Sequence, residues 1–85
     1  MTKIYNLIWS KTDTNSSIVD TYSNLDSALH DLEENKKIVE NNNGILAFKN
    51  VNEDIGYYYY QYNVDNGEMI TLRVQANYLR DKPIL

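Results

Sequence analysis

Acid–base or metal chemistry in this chain would have to start at His30, its only histidine. A general base needs a carboxylate to orient it, and a metal needs further ligands. Asp31 is adjacent, and adjacent residues on a helix do not face each other. Glu34, four positions on, is better placed. No second histidine stands at ligand spacing, and there is no cysteine, so a thiolate metal site or a disulfide framework is excluded. His30 therefore reads as a surface or boundary residue. The segments Asp13-Thr14-Asn15 and Asp65-Asn66-Gly67-Glu68 carry oxygen ligands. The second lacks the downstream glutamate that closes a calcium loop, and a hairpin turn accounts for it better. The three glycines, Gly44, Gly56 and Gly67, fall at turns or strand starts and build no phosphate-cradling loop. These residues point to a protein that is not an enzyme and holds no cofactor or metal.

The chemistry that remains is recognition. Four tyrosines, Tyr57-Tyr58-Tyr59-Tyr60, are followed by Gln61-Tyr62. In a strand, successive side chains point to opposite faces. Tyr58, Tyr60 and Tyr62 then share one face, and Tyr57 and Tyr59 the other. One set enters the core. The other supplies large, amphipathic contact area at low entropy cost.

Composition narrows the partners. Eighty-five residues make one domain, 1–85, with 77–85 as a candidate flexible tail. Twelve acidic residues against eight basic ones give a net charge of −4. That disfavours direct nucleic-acid binding, which draws on a basic surface. Met1-Thr2-Lys3-Ile4-Tyr5 runs straight into a strand pattern without a signal-type apolar region, and no apolar run reaches membrane-spanning length. A soluble, cytoplasmic protein without membrane contact is the expectation. The Asn, Ile, Lys and Tyr content matches an AT-rich coding bias, which accounts for part of the tyrosine excess.

Alternation and helical spacing along the chain define the strands and the helix that hold these residues. Ile4 to Trp9 alternates as a strand, with Tyr5, Leu7 and Trp9 on one face and Ile4 and Ile8 on the other. Lys11 to Ser17 is a polar connection to a second strand, Ser17 to Tyr22. A helix follows, capped by Ser23 or Asn24, with Leu25, Ala28, Leu29, Leu32 and Val39 on one stripe. Lys36 interrupts that stripe and can lay its aliphatic stem along it. Asn43 or Gly44 ends the helix near residue 41 in a left-handed conformation. Three strands complete the chain: Gly44 to Val51, Ile55 to Val64 and Glu68 to Ala76. The result is an α+β fold of order ββαβββ, an antiparallel sheet with one helix packed on one face.

The final hairpin fixes which tyrosines face out. A two-residue Asn66-Gly67 turn would align the even tyrosines with polar residues of the last strand. A three-residue loop with Gly67 left-handed shifts the register by one residue. Tyr62, Tyr60 and Tyr58 then meet Ile70, Leu72 and Val74, and one face becomes wholly apolar. The opposite face carries Tyr57, Tyr59, Met69, Arg73 and Gln75, with Tyr59 directly across from Arg73.

The opening KIYNLIWSK followed by SIVDTYSNLDSAL resembles small accessory proteins of phages and mobile elements in low-GC bacteria. In those, a strand runs into a Tyr-Ser helix start, here Tyr22-Ser23-Asn24-Leu25-Asp26-Ser27-Ala28. The resemblance covers about the first half of the chain. It implies a non-enzymatic inhibitor of a host or defence protein, of the anti-CRISPR type, working in the host cytoplasm.

The combined expectation is a protein-binding module that inhibits a larger protein, such as a nucleic-acid enzyme, by surface occlusion. Its partner-binding residues would be Tyr57, Tyr59, Met69, Arg73 and Gln75, with the acidic turn Glu53-Asp54. A second acidic candidate is the helix face of Asp31, Glu34 and Glu40, suited to a basic groove. The alternatives are a single-stranded nucleic-acid binder using Tyr57, Tyr59 and Arg73, or an oligomer that sequesters nucleotides. A homodimer that buries the outer face is the remaining option.

Overall fold

The computed structural model describes residues 2–12, 16–64 and 67–79. Their elements are β1 (Thr2–Lys11), β2 (Ser16–Tyr22), α1 (Leu25–Asn41), β3 (Ile45–Asn52), β4 (Tyr57–Asn63) and β5 (Met69–Leu79). The five strands form one antiparallel sheet in the order β2-β1-β5-β4-β3. This is the ββαβββ architecture expected from the sequence. The two strands nearest the chain ends, β1 and β5, pair with each other. The helix leaves one edge strand, β2, and returns the chain to the other, β3. Seventeen residues of helix span about 25 Å, enough to cross a five-stranded sheet.

Local chemistry sets the helix ends. The Asn24 side chain accepts from the Ser27 backbone N–H at 2.8 Å, and Asp26 lies in the first turn. At the far end Asn43 takes the left-handed conformation, φ 69°, and Gly44 N–H donates to the Val39 carbonyl at 2.9 Å.

The core lies between α1 and the inner face of the sheet. Leu7, Ala28, Leu32, Val39, Tyr60, Tyr62, Leu72 and Val74 are buried, and Tyr5, Trp9, Leu25, Leu29, Tyr58 and Ile70 pack against them. Trp9 is thus part of the core's wall. The register places Tyr58 opposite Val74, Tyr60 opposite Leu72 and Tyr62 opposite Ile70. Gly67 has φ 73°, and Val64 N–H donates to the Glu68 carbonyl at 3.0 Å, closing the hairpin. Asp65 and Asn66, also assigned to this turn, lie outside the described residues, as do residues 13–15 of the first connection.

Beyond shifts of one or two residues at strand ends, three features differ from expectation. β5 runs on to Leu79, because β1 begins at Thr2 and offers residues 77–79 ladder partners, Ile4 with Asn77 and Lys3 with Tyr78. The candidate tail therefore shortens to 80–85, outside the described residues. A 3-10 turn, Glu53–Ile55, precedes β4, and Gly56 closes it at φ 67°. A bulge between Leu46 and Phe48 breaks the alternation of β3.

Candidate functional site

The side of the sheet away from α1 carries no covering element among the described residues. Its rows follow from the ladder. One row runs Val19, Ile8, Arg73, Tyr59, Asn50 across all five strands. The next runs Ser17, Ser10, Thr71, Gln61, Phe48. Tyr57, Tyr59, Met69, Arg73 and Gln75 therefore share this face, as expected, and each is partly exposed. They do not form one tight cluster. Met69 and Gln75 sit about 20 Å apart along β5, given the six-residue step.

Tyr59 is the hub. It pairs across strands with Arg73, and its hydroxyl donates to Gln61 Oε1 at 3.3 Å. Gln61 in turn donates to Met69 Sδ at 3.0 Å. Phe48 meets the Tyr59 ring edge-on, with centroids 6.0 Å apart. Phe48 was missed from the sequence. Simple alternation along β3 cannot place it, because the bulge after Leu46 moves it from the inner rows to the outer ones.

Arg73 is the one charged side chain in these outer rows. Its Nε is fully covered and finds no acceptor. No carboxylate pairs with it among the described residues. Beside it, Ser10 Oγ and Thr71 Oγ1 share a hydrogen bond. A shallow depression there is lined by Ile8, Ser10, Ser17, Thr71 and Arg73, with Lys11 and Thr12 at its rim. Lys11 is ion-paired with Glu68 at 3.1 Å.

The acidic candidates lie elsewhere. Glu53 and Asp54 are exposed in the 3-10 turn, just beyond Asn52, the cross-strand partner of Tyr57. They flank the outer face at its end without entering its rows. The helix carries Asp26, Asp31, Glu33, Glu34 and Glu40 against Lys36 and Lys37. Two of these acids bind tyrosines. Tyr22 donates to Asp31 Oδ2 at 2.6 Å, and Tyr62 donates to Glu40 Oε2 at 2.8 Å. Burial first, then these carboxylates, push both phenols above their ordinary values. Asp31 and Glu40 thus have a fastening role that their sequence positions alone do not disclose. Lys36 Nζ sits 4.1 Å from the Tyr60 ring centroid, which explains a lysine on the apolar stripe.

His30 is exposed, in a shallow depression with Tyr22, Asp26, Ser27 and Asp31. Among the described residues no group of three or more His, Cys, Asp or Glu side chains could hold a metal ion. Among them, too, no helix is long and apolar enough to cross a membrane. Comparison with family models, curated proteins and solved structures gave no match.

Proposed function

We propose that this chain is a non-enzymatic protein-binding module that occupies a surface of a larger protein through the open face of its sheet. One observation carries the reading. Ile8, Arg73 and Tyr59 line up across three neighbouring strands, with Phe48 against Tyr59, on a face that no described helix covers. Tyrosine and arginine supply most energetic centres of protein interfaces. The mixture of amide, hydroxyl and aromatic groups around them suits a separable complex rather than an obligate one. The phage-type resemblance of the first half extends the proposal: the larger protein is a host or defence enzyme, and occlusion inhibits it.

The test is affinity purification from the native host with wild-type protein and with the double variant Tyr59→Ala, Arg73→Ala. A stoichiometric protein partner whose binding weakens by about 30-fold or more, with melting unchanged, supports the reading. A partner that binds the folded double variant at full strength places the working surface elsewhere.

A second reading has its own observation. Tyr57, Tyr59 and Phe48 are three aromatics on an open antiparallel sheet beside an arginine, the composition of a base-stacking platform. The net charge of −4 opposes it. Fluorescence anisotropy with labelled single-stranded oligonucleotides at low salt decides, and no binding at high micromolar protein removes it.

A further inference from the structure

We infer that the outer face seats a carboxylate of the partner on Arg73, so that the partner presents an Asp or Glu side chain beside Tyr59. The inference rests on the sheet-face reading above and names the chemistry of what that face meets.

The charge layout is the first argument. The described carboxylates lie on the helix, on the inner row at Asp20, or in the turns at Glu53, Asp54 and Glu68. None stands in the outer rows. Among the described residues, one face of this acidic chain thus carries no acid and has a single guanidinium near its middle. The state of that guanidinium is the second argument. Its Nε has left water without gaining an acceptor inside the fold. A partly desolvated cation without a counter-charge is costly, and the fold itself does not offset that cost. An incoming carboxylate meets a cation already stripped of part of its water, held across from Tyr59. The third argument is the lining. Hydroxyls of Ser10, Ser17 and Thr71 border Arg73; one proton is spent within the Ser10–Thr71 pair, which leaves the other hydroxyl of that pair and Ser17 to donate to the oxygens of a group the guanidinium holds by its fork.

The same features weigh against a phosphate backbone. A nucleic-acid strand brings a row of charges and needs several cations to meet it. Arg73 is the lone charge in the rows, Lys11 at the rim is engaged with Glu68, and the net charge of −4 repels a polyanion. One fork matched to one carboxylate fits what is present.

The test uses ¹⁵N-labelled protein and acetate as the carboxylate probe, with sodium chloride at equal ionic strength as the reference. The Arg73 Nε–H and Thr71 amide signals should shift saturably with acetate, with Kd about 10–100 mM, the range expected for one charge-assisted pair. Arg73→Gln should abolish the Thr71 shift. Arg73→Lys, which keeps the charge but loses the fork, should weaken it by about threefold or more. Arg73→Gln should also melt within about 2 °C of wild type, or higher, because no described residue hydrogen-bonds or ion-pairs with the guanidinium. No saturable shift overturns the inference. So does inorganic phosphate binding about tenfold tighter than acetate, which would favour a nucleic-acid ligand. A drop in melting temperature beyond about 5 °C in Arg73→Gln would make Arg73 structural and overturn it as well. If acetate fails while Tyr59→Ala still releases a captured partner, the sheet-face reading survives and the carboxylate assignment alone falls.

Discussion

Replacing Tyr62 with phenylalanine removes one hydroxyl from a fully buried side chain, and the cost should depend on pH in a way that reports the Tyr62–Glu40 bond. The ring stays, so little cavity opens. What is lost is the 2.8 Å bond to Glu40 Oε2. A hydrogen bond to a charged group contributes about 1.5–3 kcal/mol. Glu40 is itself exposed, so its carboxylate returns to water when the donor goes. That places the expected loss at or just below the lower end of that range, about 1–1.5 kcal/mol at pH 7, or about 4–12 °C in melting temperature for a domain of this size.

Alkaline pH changes the comparison. Burial, then the hydrogen bond to Glu40 and its charge, raise the Tyr62 phenol above its ordinary value. Above about pH 10 the unfolded chain releases this proton while the folded chain keeps it, so stability falls as pH rises. The contribution is full below about pH 10 and declines above it by up to ~1.4 kcal/mol per pH unit. Tyr22, raised by burial and Asp31, behaves the same way. Tyr62→Phe deletes one of three such alkaline liabilities and keeps those of Tyr22 and of Tyr58, whose phenol is raised by burial and then by the Glu53 charge. Its deficit should therefore shrink between pH 10 and 11 and then reverse sign. Urea unfolding followed by Trp9 fluorescence at pH 7, 9, 10 and 11 measures it. Parallel curves for wild type and Tyr62→Phe across that range would refute the reasoning, because they would mean that the proton on Tyr62 is not coupled to folding.

Three further outcomes follow from packing and backbone geometry. Leu32→Ala, at a site 1% exposed, should cost about 2–5 kcal/mol and leave a substantial unfolded population by circular dichroism. Gly67→Ala should cost only about 1 kcal/mol, since an added Cβ meets nothing within 4 Å and the penalty is the φ of 73° alone. Gly44→Ala should cost more, about 1–3 kcal/mol, because its Cβ would sit 2.4 Å from Val39 Cγ1 and 2.7 Å from the Val39 carbonyl oxygen. Equal chemical-denaturation midpoints for the two glycine variants would contradict the contrast.

The hairpin of β4 and β5 was legible because one face had to become apolar. Only one register puts Tyr58, Tyr60 and Tyr62 against Val74, Leu72 and Ile70, and the ladder adopts it. The helix was legible at both ends because its signals are local: Asn24 before the first turn and Asn43 past the last. Strand order was not. Alternation marks a strand but says nothing of its neighbour, and the β1–β5 pairing joins residues about seventy apart in sequence. The outer tyrosines were placed correctly by parity, whereas Phe48 escaped because a bulge is a property of two paired strands. Nor could the sequence show that Asp31 and Glu40 receive tyrosine hydroxyls, since that depends on where the helix crosses the sheet.

Among the described residues, nothing pairs with either margin of the sheet. Ile18 and Val19 on β2 are 59% and 55% exposed, and every residue of β3 is exposed, including Ile45, Leu46 and Phe48. A sheet with two open margins can template its own growth, copy upon copy, toward a fibril. The irregularity at Ala47 works against this. It spoils the even spacing of free backbone groups near the start of β3, so a newcomer finds a continuous ladder only beyond it. Lys49, paired in register with Tyr60, adds a charge on the inner side of the same strand, which a second copy would have to bury or confront. Straightening the kink and removing that lysine together would turn a soluble margin into an adhesive one, with concentration-dependent thioflavin fluorescence as its signature.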